Sequence, residues 1–376
     1  MNFSFNLPVN LLFGFGAIGE IGKKSAMYGK KAMIVTGRGS AKKSGLLAKA
    51  ELHLEQSGVD SVVFDNVDPN PLTTSIYEGK ALAEAEKCDM VIGLGGGSIM
   101  DAAKAIAFAA KNEGDLTDYI FARKPLGDAL PIILAPTTCG TGSEGNGFAV
   151  LTDPLTGDKK SLRSNSIIAK LSIVDPELMK TMPKRVLSSV GFDALCHCME
   201  AYLSSLGQPL SDLIALEGIK LIHESLADLC GGFGGDEEWE KLTLASTFGG
   251  MSIGLAGVTA AHGIEHPASG LRNVVHGAGL AALTPTVFER SISHAPVKFA
   301  EISRRLGGRD ERDCVEGIRS LLDAIDLSIG LKEQGIRESD IDWMAENCFK
   351  VSAASLANHP VKFSIDEIKD LYRMSL

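Results

Sequence analysis

Three histidines fall within the stretch AHGIEHPASGLRNVVHG, Ala261 to Gly277, in a chain that holds eight. His262 and His266 stand four apart, and His276 follows ten later. Imidazole does two kinds of chemistry at neutral pH: it donates a lone pair to a metal, and it carries protons. A second segment, GFDALCHCMEAY, sets Asp193 and His197 at i, i+4, on one face of a helix. Both fall within an apolar stripe, where an unpaired carboxylate is costly to bury. A metal ion removes that cost. Asp193, His197 and two of the three clustered histidines would form an N₃O site suited to Fe²⁺ or Zn²⁺, with room for a substrate oxygen. The plainer alternative is a hydrogen-bonded helix pair and ordinary core histidines. The joint occurrence of the two clusters favours the metal. Cys196 and Cys198 flank His197, project off its face and read as structural.

A different chemistry is written into IGLGGGSIMDAAK, Ile92 to Lys104. A buried strand runs through Gly95, Gly96 and Gly97 into Ser98 and a helix. Glycines let backbone N–H groups approach a phosphate, and a helix N-terminus attracts its charge. Ser98 is expected both to cap the helix and to touch the phosphate. The segment is not a GxGxxG fingerprint, because Ser98 stands where the third glycine belongs. PTTCGTGSE, Pro136 to Glu144, supplies Thr137, Thr138 and free amides at the end of the next strand. Two polar loops at strand carboxyl ends are where a parallel sheet binds its ligand. Alone, each also reads as a tight turn or a solvated loop.

The elements that position these groups divide the chain. Before Pro183, KKAMIVTG, DSVVFDNV, CDMVIGLGGG and LPIILAPTT read as strands alternating with helices such as SGLLAKAELHLEQSG and TTSIYEGKALAEAEKC. That alternation predicts right-handed crossovers and a parallel sheet. Beyond Pro183, apolar residues recur at i, i+3, i+4 and i+7 and predict helices only. The expected fold is an α/β nucleotide-binding domain over residues 1–183 and an all-α metal-binding and catalytic domain over 184–376. A chain of 376 residues is long for one core.

Net charge is −10, a poor match to nucleic acid. No run of eighteen apolar residues predicts a transmembrane helix. The opening MNFSFNLPVNLLFGFG reads as mature sequence. Seven cysteines, an odd count without a CxxC, point to a reducing cytoplasmic setting.

Several segments, in order along nearly the whole chain, resemble the iron-containing (group III) alcohol dehydrogenase family. They are LPVNLLFGFGAIGEIG, NPLTTSIYEG, GGGSIMDAAKAIA, PTTCGTGSE, VDPEL, GFDALCHCMEAYLS and the histidine stretch. The resemblance implies an active site in the cleft between two such domains. It implies Asp193, His197, His262 and His276 as metal ligands, with Fe²⁺ or Zn²⁺ bound. His266 would lie near the nicotinamide and relay a proton without ligating. Gly96, Gly97 and Ser98 match the pyrophosphate turn, and Thr137 and Thr138 the threonines that contact cofactor. Asn70, Lys159 and Leu178 match further contact positions, with Lys160 in place of Lys159 if the loop shifts by one. The implied activity is NAD(P)-dependent oxidation of an alcohol, or reduction of an aldehyde, by a homodimer or higher homo-oligomer. Three departures from the family pattern, Cys139, the Pro267–Val275 segment and HPVKF from His359 to Phe363, are expected to shape the substrate pocket.

Coenzyme choice is read from TGRGSAKKSG. Many NAD-preferring members carry Asp where Gly37 stands. Gly37 leaves space, Ser40 offers a hydroxyl, and Arg38, Lys42 and Lys43 offer charge for a 2′-phosphate, so NADP is expected over NAD. Rival readings are a glycerol dehydrogenase or a dehydroquinate synthase-like enzyme of the same fold, or a non-catalytic nucleotide-binding protein. A synthase needs cations around the metal, and the ligand segments offer only Arg272.

Overall fold

The computed structural model describes residues 2–376. Its main sheet is built from β1 (Leu11–Phe13), β2 (Lys31–Gly37), β3 (Asp60–Val67), β4 (Met90–Gly95), β5 (Ile132–Pro136) and β8 (Leu171–Val174). Their order is β1-β8-β5-β4-β2-β3, and every pairing is parallel. Two antiparallel strands that the alternation did not predict, β6 (Phe148–Thr152) and β7 (Lys159–Arg163), form a separate hairpin.

Alternate residues of the strands feed opposite faces, as the pleat requires. Ile34, Ile92 and Ile133 pack with Leu47 and Leu54 of the helix Leu46–Gln56 on one side. Met33, Val91 and Leu134 pack with Ile76, Met100 and Ala103 on the other, under the helices Thr73–Ala85 and Gly97–Ala109. Both faces are covered, which is why β4 is buried along its whole length. The chain leaves β2 toward β3 at one edge, then crosses back to β4. The strand ends at Gly37 and Gly95 therefore flank a topological switch point, where open α/β sheets bind ligands.

From Lys184 onward the described residues form helices and no strand. The helix Lys184–Leu203 is buried along most of its length among the helices Pro209–His223, Asp236–Ala256 and His276–Glu289. The helix Ala260–Arg272 contains Pro267, which has no N–H to give Gly263. The freed Gly263 carbonyl accepts the Cys348 thiol at 3.1 Å instead, so the helix continues.

The two halves meet through the loop after β5. Gly142 lies so close to Gly250 that a Cβ on either would strike the other's backbone. Thr247 donates to Glu144 at 2.7 Å, and Asn146 donates to the Gly250 carbonyl at 3.2 Å. The strand-end loop is thus pinned to the helical half, and the site lies beside that seam. Among the described residues, no single helix is long and apolar enough to cross a membrane.

Candidate active site

Asp193 and His197 project from the middle of the buried helix Lys184–Leu203. His262 comes from the helix Ala260–Arg272, and His276 begins the helix His276–Glu289 after a left-handed break at Asn273. Three Nε2 atoms converge on one oxygen. Asp193 Oδ1 lies 3.6 Å from His197, 3.4 Å from His262 and 3.7 Å from His276. Four ligands at about 2.1 Å around a tetrahedral ion would stand about 3.4 Å apart. Asp193, His262 and His276 each offer a donor atom within 4.8 Å of the others, and Glu265, His266 and His276 form a second such group. His197 stacks on His262 with ring centres 4.6 Å apart. Asp193 Oδ1 and His262 Nε2 are buried without a hydrogen-bond partner. Orphaned atoms of this kind are costly, and a divalent ion would satisfy both at once.

The far nitrogen of each ring is held. His262 Nδ1 donates to Glu200 at 2.5 Å, His276 Nδ1 donates to Glu265, and His197 Nδ1 donates to the Gly140 carbonyl at 3.3 Å. Carboxylates and carbonyls only accept, so each Nδ1 carries a hydrogen, and each Nε2, once free of its own proton, turns a lone pair to the cluster. Glu200 also takes the Thr259 amide at 2.7 Å and hydroxyl at 2.9 Å, and Ser269 donates to Glu265. Both glutamates are fully buried. Sequence reading passed over them. The available signal was an acid in an otherwise apolar helix, at i+3 from His197 in one case and from His262 in the other.

Charge in the cluster follows from burial and contact. Burial alone would raise the Asp193 carboxyl, but His197, His276 and His262 outweigh it and hold it below the usual carboxylate range. Burial pushes His197 down to about 4. Burial also acts to lower His262, yet Glu200 and Asp193 outweigh it and push it up to about 10. Metal binding would therefore displace a proton from His262.

A cavity of about 140 Å³ opens onto these groups. It is lined by Asn70, Gly97, Ser98 and Lys159 from the α/β half, by His266, and by the apolar Ile253 and Val258. The glycine turn lies within reach of the cluster. A Cβ at Gly97 would collide with the Thr141 side chain, so only glycine lets the two strand-end loops close together. Ser98 does not cap the helix: the N-cap is Gly96, and no side chain bonds there. Thr138 packs against Gly96. Asn70 adopts a left-handed conformation, φ 53°, and donates to Asn273 at 2.7 Å across the two halves. A separate cavity of about 280 Å³ is lined by Ser40, Thr137 and Leu178. The two cavities lie at the carboxyl ends of the parallel strands, as a dinucleotide spanning the switch point would need.

This architecture has close counterparts. Residues 8–176 match the family model "Iron-containing alcohol dehydrogenase". Residues 188–376 match the C-terminal model of the Fe-containing alcohol dehydrogenase family. The chain belongs to the iron-containing alcohol dehydrogenase family. It is 33% identical to the 1,3-propanediol dehydrogenase of Citrobacter freundii, over 99% of this chain and 98% of that one. It is 28% identical to the NADPH-dependent butanol dehydrogenase of Clostridium saccharobutylicum, over 98% and 96%. The crystal structure of an archaeal halo-thermophilic alcohol dehydrogenase from a Red Sea brine pool superposes with a TM-score of 0.96 at 33% identity, covering 100% of this chain and 99% of that one.

Within this iron-containing dehydrogenase framework some expectations need correction. The three departures from the family pattern do not line the cavity at the histidine cluster. Cys139 is buried and lies 3.5 Å from the Thr243 hydroxyl. Pro267 is buried inside its helix, while Val275 is 54% exposed. His359 turns inward to the Ser291 hydroxyl at 2.8 Å, which draws the HPVKF segment away. Arg272 points off to Asp340, at 2.5 Å. The site's cations come from β7 instead: Lys159 lines the cluster cavity, while Lys160 lines a neighbouring one. Two of the three cations beside Gly37 are already engaged, Arg38 with Asp68 at 3.0 Å and Lys42 with Asp65.

Proposed function

We propose that this chain is a metal-dependent alcohol dehydrogenase, running as an aldehyde reductase in reverse, in which Asp193, His197, His262 and His276 hold the ion. The observation that carries this reading is the convergence of three Nε2 atoms on Asp193 Oδ1 at 3.4–3.7 Å, with every Nδ1 turned outward to an acceptor. Bound there, Fe²⁺ or Zn²⁺ supplies Lewis acidity to the substrate oxygen. A nicotinamide coenzyme held at Gly97, Ser98, Ser40, Thr137 and Leu178 would supply the hydride chemistry.

The protein's own part is positioning and proton traffic. Glu200, Glu265 and the Gly140 carbonyl hold the rings at fixed tautomer and angle. The glycine turn, with Gly97 and Ser98, receives the pyrophosphate at the N-terminus of the helix Gly97–Ala109. Ser40, Thr137 and Leu178 receive the adenosine end. His266 relays the proton. Burial, then Lys159, keeps its pKa well below the ordinary value, so it rests neutral. It also lines both the cluster cavity and its neighbour, which gives the proton a way out.

Three finer readings accompany this one. The domain boundary at 183/184 is supported by the family models, which end at 176 and resume at 188. NADP preference is supported by open space at Gly37, where a Cβ would meet only Ile99 at 3.6 Å. Exposed pairs such as Arg38–Asp68 are worth about 1 kcal/mol or less and yield readily to a phosphate. A cytoplasmic homodimer or higher oligomer is proposed, and seven buried free cysteines are consistent with a reducing compartment.

The test is anaerobic reconstitution with Fe²⁺ or Zn²⁺, followed by alcohol and aldehyde panels with both coenzymes. Metal-dependent coenzyme reduction by at least one alcohol is expected. Its absence across the panel, in a protein shown to bind the ion, would defeat the proposal.

A further inference from the structure

We infer that the substrate carries an anionic group besides its reacting alcohol or aldehyde, and that Arg163 binds that group. The inference rests on the dehydrogenase reading above. It starts from β7, KKSLR, whose alternation puts Lys159, Ser161 and Arg163 on one face, and all three line the cavity at the metal cluster. Arg163 and Ser161 also line the neighbouring cavity of about 390 Å³, together with Lys160 and His266. Arg163 therefore stands where the two cavities meet, as does His266.

Arg163 is exposed at the mouth of the cleft, and what marks it is its place between two cavities without a partner. Among the described residues, no carboxylate comes within salt-bridge distance of it and no acceptor takes its N–H groups. Its guanidinium lies over the Phe148 ring, 4.5 Å from the centre. Lys160 is similar: Nζ gives one hydrogen bond to the Val351 carbonyl at 2.7 Å and sits 5.3 Å above the Phe121 ring, with no acid paired to it. Burial, and then Arg163 itself, depresses the Lys160 pKa, which places the two cations within each other's field.

The acids nearby are spoken for. Asp193 belongs to the ion. Asp101 accepts the Ser143 hydroxyl at 2.6 Å and the Val150 amide at 2.9 Å. The neighbouring cavity has no acidic lining residue. A chain with net charge −10 has carboxylates to spare, yet none among the described residues forms an ion pair with either cation; Asp158, whose field reaches Lys160, is bonded to Lys350 at 2.6 Å and to Asn347 at 2.8 Å. Such a cleft concentrates anions.

The cofactor does not account for the charge. Its pyrophosphate belongs to the Gly97 turn and its adenosine to the Ser40–Thr137–Leu178 cavity. The neighbouring cavity contains no residue of the Gly97 turn and none of the Ser40–Thr137–Leu178 cavity; it meets the turn's cavity only at Ser161, Arg163 and His266. Lys159, a cofactor-contact position by resemblance, is left to the cofactor. Arg163 remains for the substrate, and its planar fork matches an oxyanion: carboxylate, phosphonate or sulfonate.

The test uses the metal-reconstituted enzyme and four aldehydes: butanal, 4-oxobutanoate, phosphonoacetaldehyde and sulfoacetaldehyde. At least one anionic aldehyde is expected to exceed butanal in kcat/KM by about tenfold or more, and the arm that wins identifies the oxyanion. That advantage should shrink as salt is raised. Arg163→Gln should cut the anionic-to-butanal ratio about ten- to a hundredfold, with Arg163→Lys recovering part of it. Butanal equalling or beating all three anions overturns the inference, as does a ratio unchanged in Arg163→Gln. Should that variant fail to fold, a wild-type advantage independent of salt overturns it instead. Turnover of none of the four by an enzyme that does reduce coenzyme with another alcohol of the wider panel overturns the inference, whereas no turnover anywhere on that panel sinks the dehydrogenase reading itself.

Discussion

Glu200→Gln is the sharpest test of how the histidine cluster is held. Glu200 faces four donors and no acceptor: the Thr259 amide at 2.7 Å, the Thr259 hydroxyl at 2.9 Å, His262 Nδ1 at 2.5 Å and the His262 amide at 3.3 Å. A carboxylate serves all four, because both oxygens only accept. A glutamine has one accepting oxygen. Turned toward Thr259, it presents its NH₂ to His262 Nδ1, which must give up its hydrogen. The proton then sits on Nε2, the atom meant for the ion. Turned toward His262, it sets NH₂ against the Thr259 N–H and leaves that donor unpaired. The first orientation costs metal affinity, and partners of this kind are typically worth about 10- to 100-fold, or about 1.4–2.7 kcal/mol. The second costs fold stability, about 1–3 kcal/mol for one orphaned buried donor. The assay is a Zn²⁺ titration by equilibrium dialysis alongside urea unfolding of the metal-free protein. Wild-type values in both measurements would refute the proposed role of Glu200. Glu265→Gln should repeat the affinity loss through His276.

Other expectations follow from the same geometry. His262→Ala should lose bound metal and activity together, measured by metal analysis and turnover on one preparation. His266→Ala should retain its metal while kcat falls by about 10²- to 10⁴-fold, and metal loss in this variant would reverse the two assigned roles. Gly37→Asp should shift the kcat/KM ratio toward NAD⁺, whereas a wild type already preferring NAD⁺ would refute the open-space reading. His359 is buried away from the cluster, and burial pushes its pKa down to about 4. Since the unfolded state then takes up its proton first, stability should fall as pH drops from about 6.5 to 4, by about 3 kcal/mol in full. Urea midpoints of His359→Gln should show a shallower slope across that window.

How much could be read without coordinates depended on whether the signal was local. Four of the six parallel strands, β2 to β5, were legible as short apolar runs alternating with helices, whereas β1 and β8, of three and four residues, were not. The helical half was legible from its 3.6-residue period. Asp193 and His197 declared themselves because i, i+4 spacing is a contact within one helix. The hairpin β6–β7 was not legible: KKSLR is polar and its partner strand lies across a turn, so no period marks it. Ser98 was misjudged as a cap because a serine after glycines resembles one, yet backbone geometry gave that place to Gly96.

By itself, then, the sequence determined the chain's class, the alternation of elements, the glycine turn and the inventory of chemical groups, since all of these reside in residue type and short-range spacing. Only the tertiary structure decided which groups meet. It brought His276 to Asp193 from 83 positions away, at 3.7 Å. It set Glu200 and Glu265 behind two of the rings, and it sent Arg272 out to Asp340 while bringing Arg163 in. Those outcomes depend on the angles at which buried helices cross and on a loop pinned at Gly142–Gly250. Contacts between distant segments are set by the packing of the whole core, and spacing along the chain does not encode them.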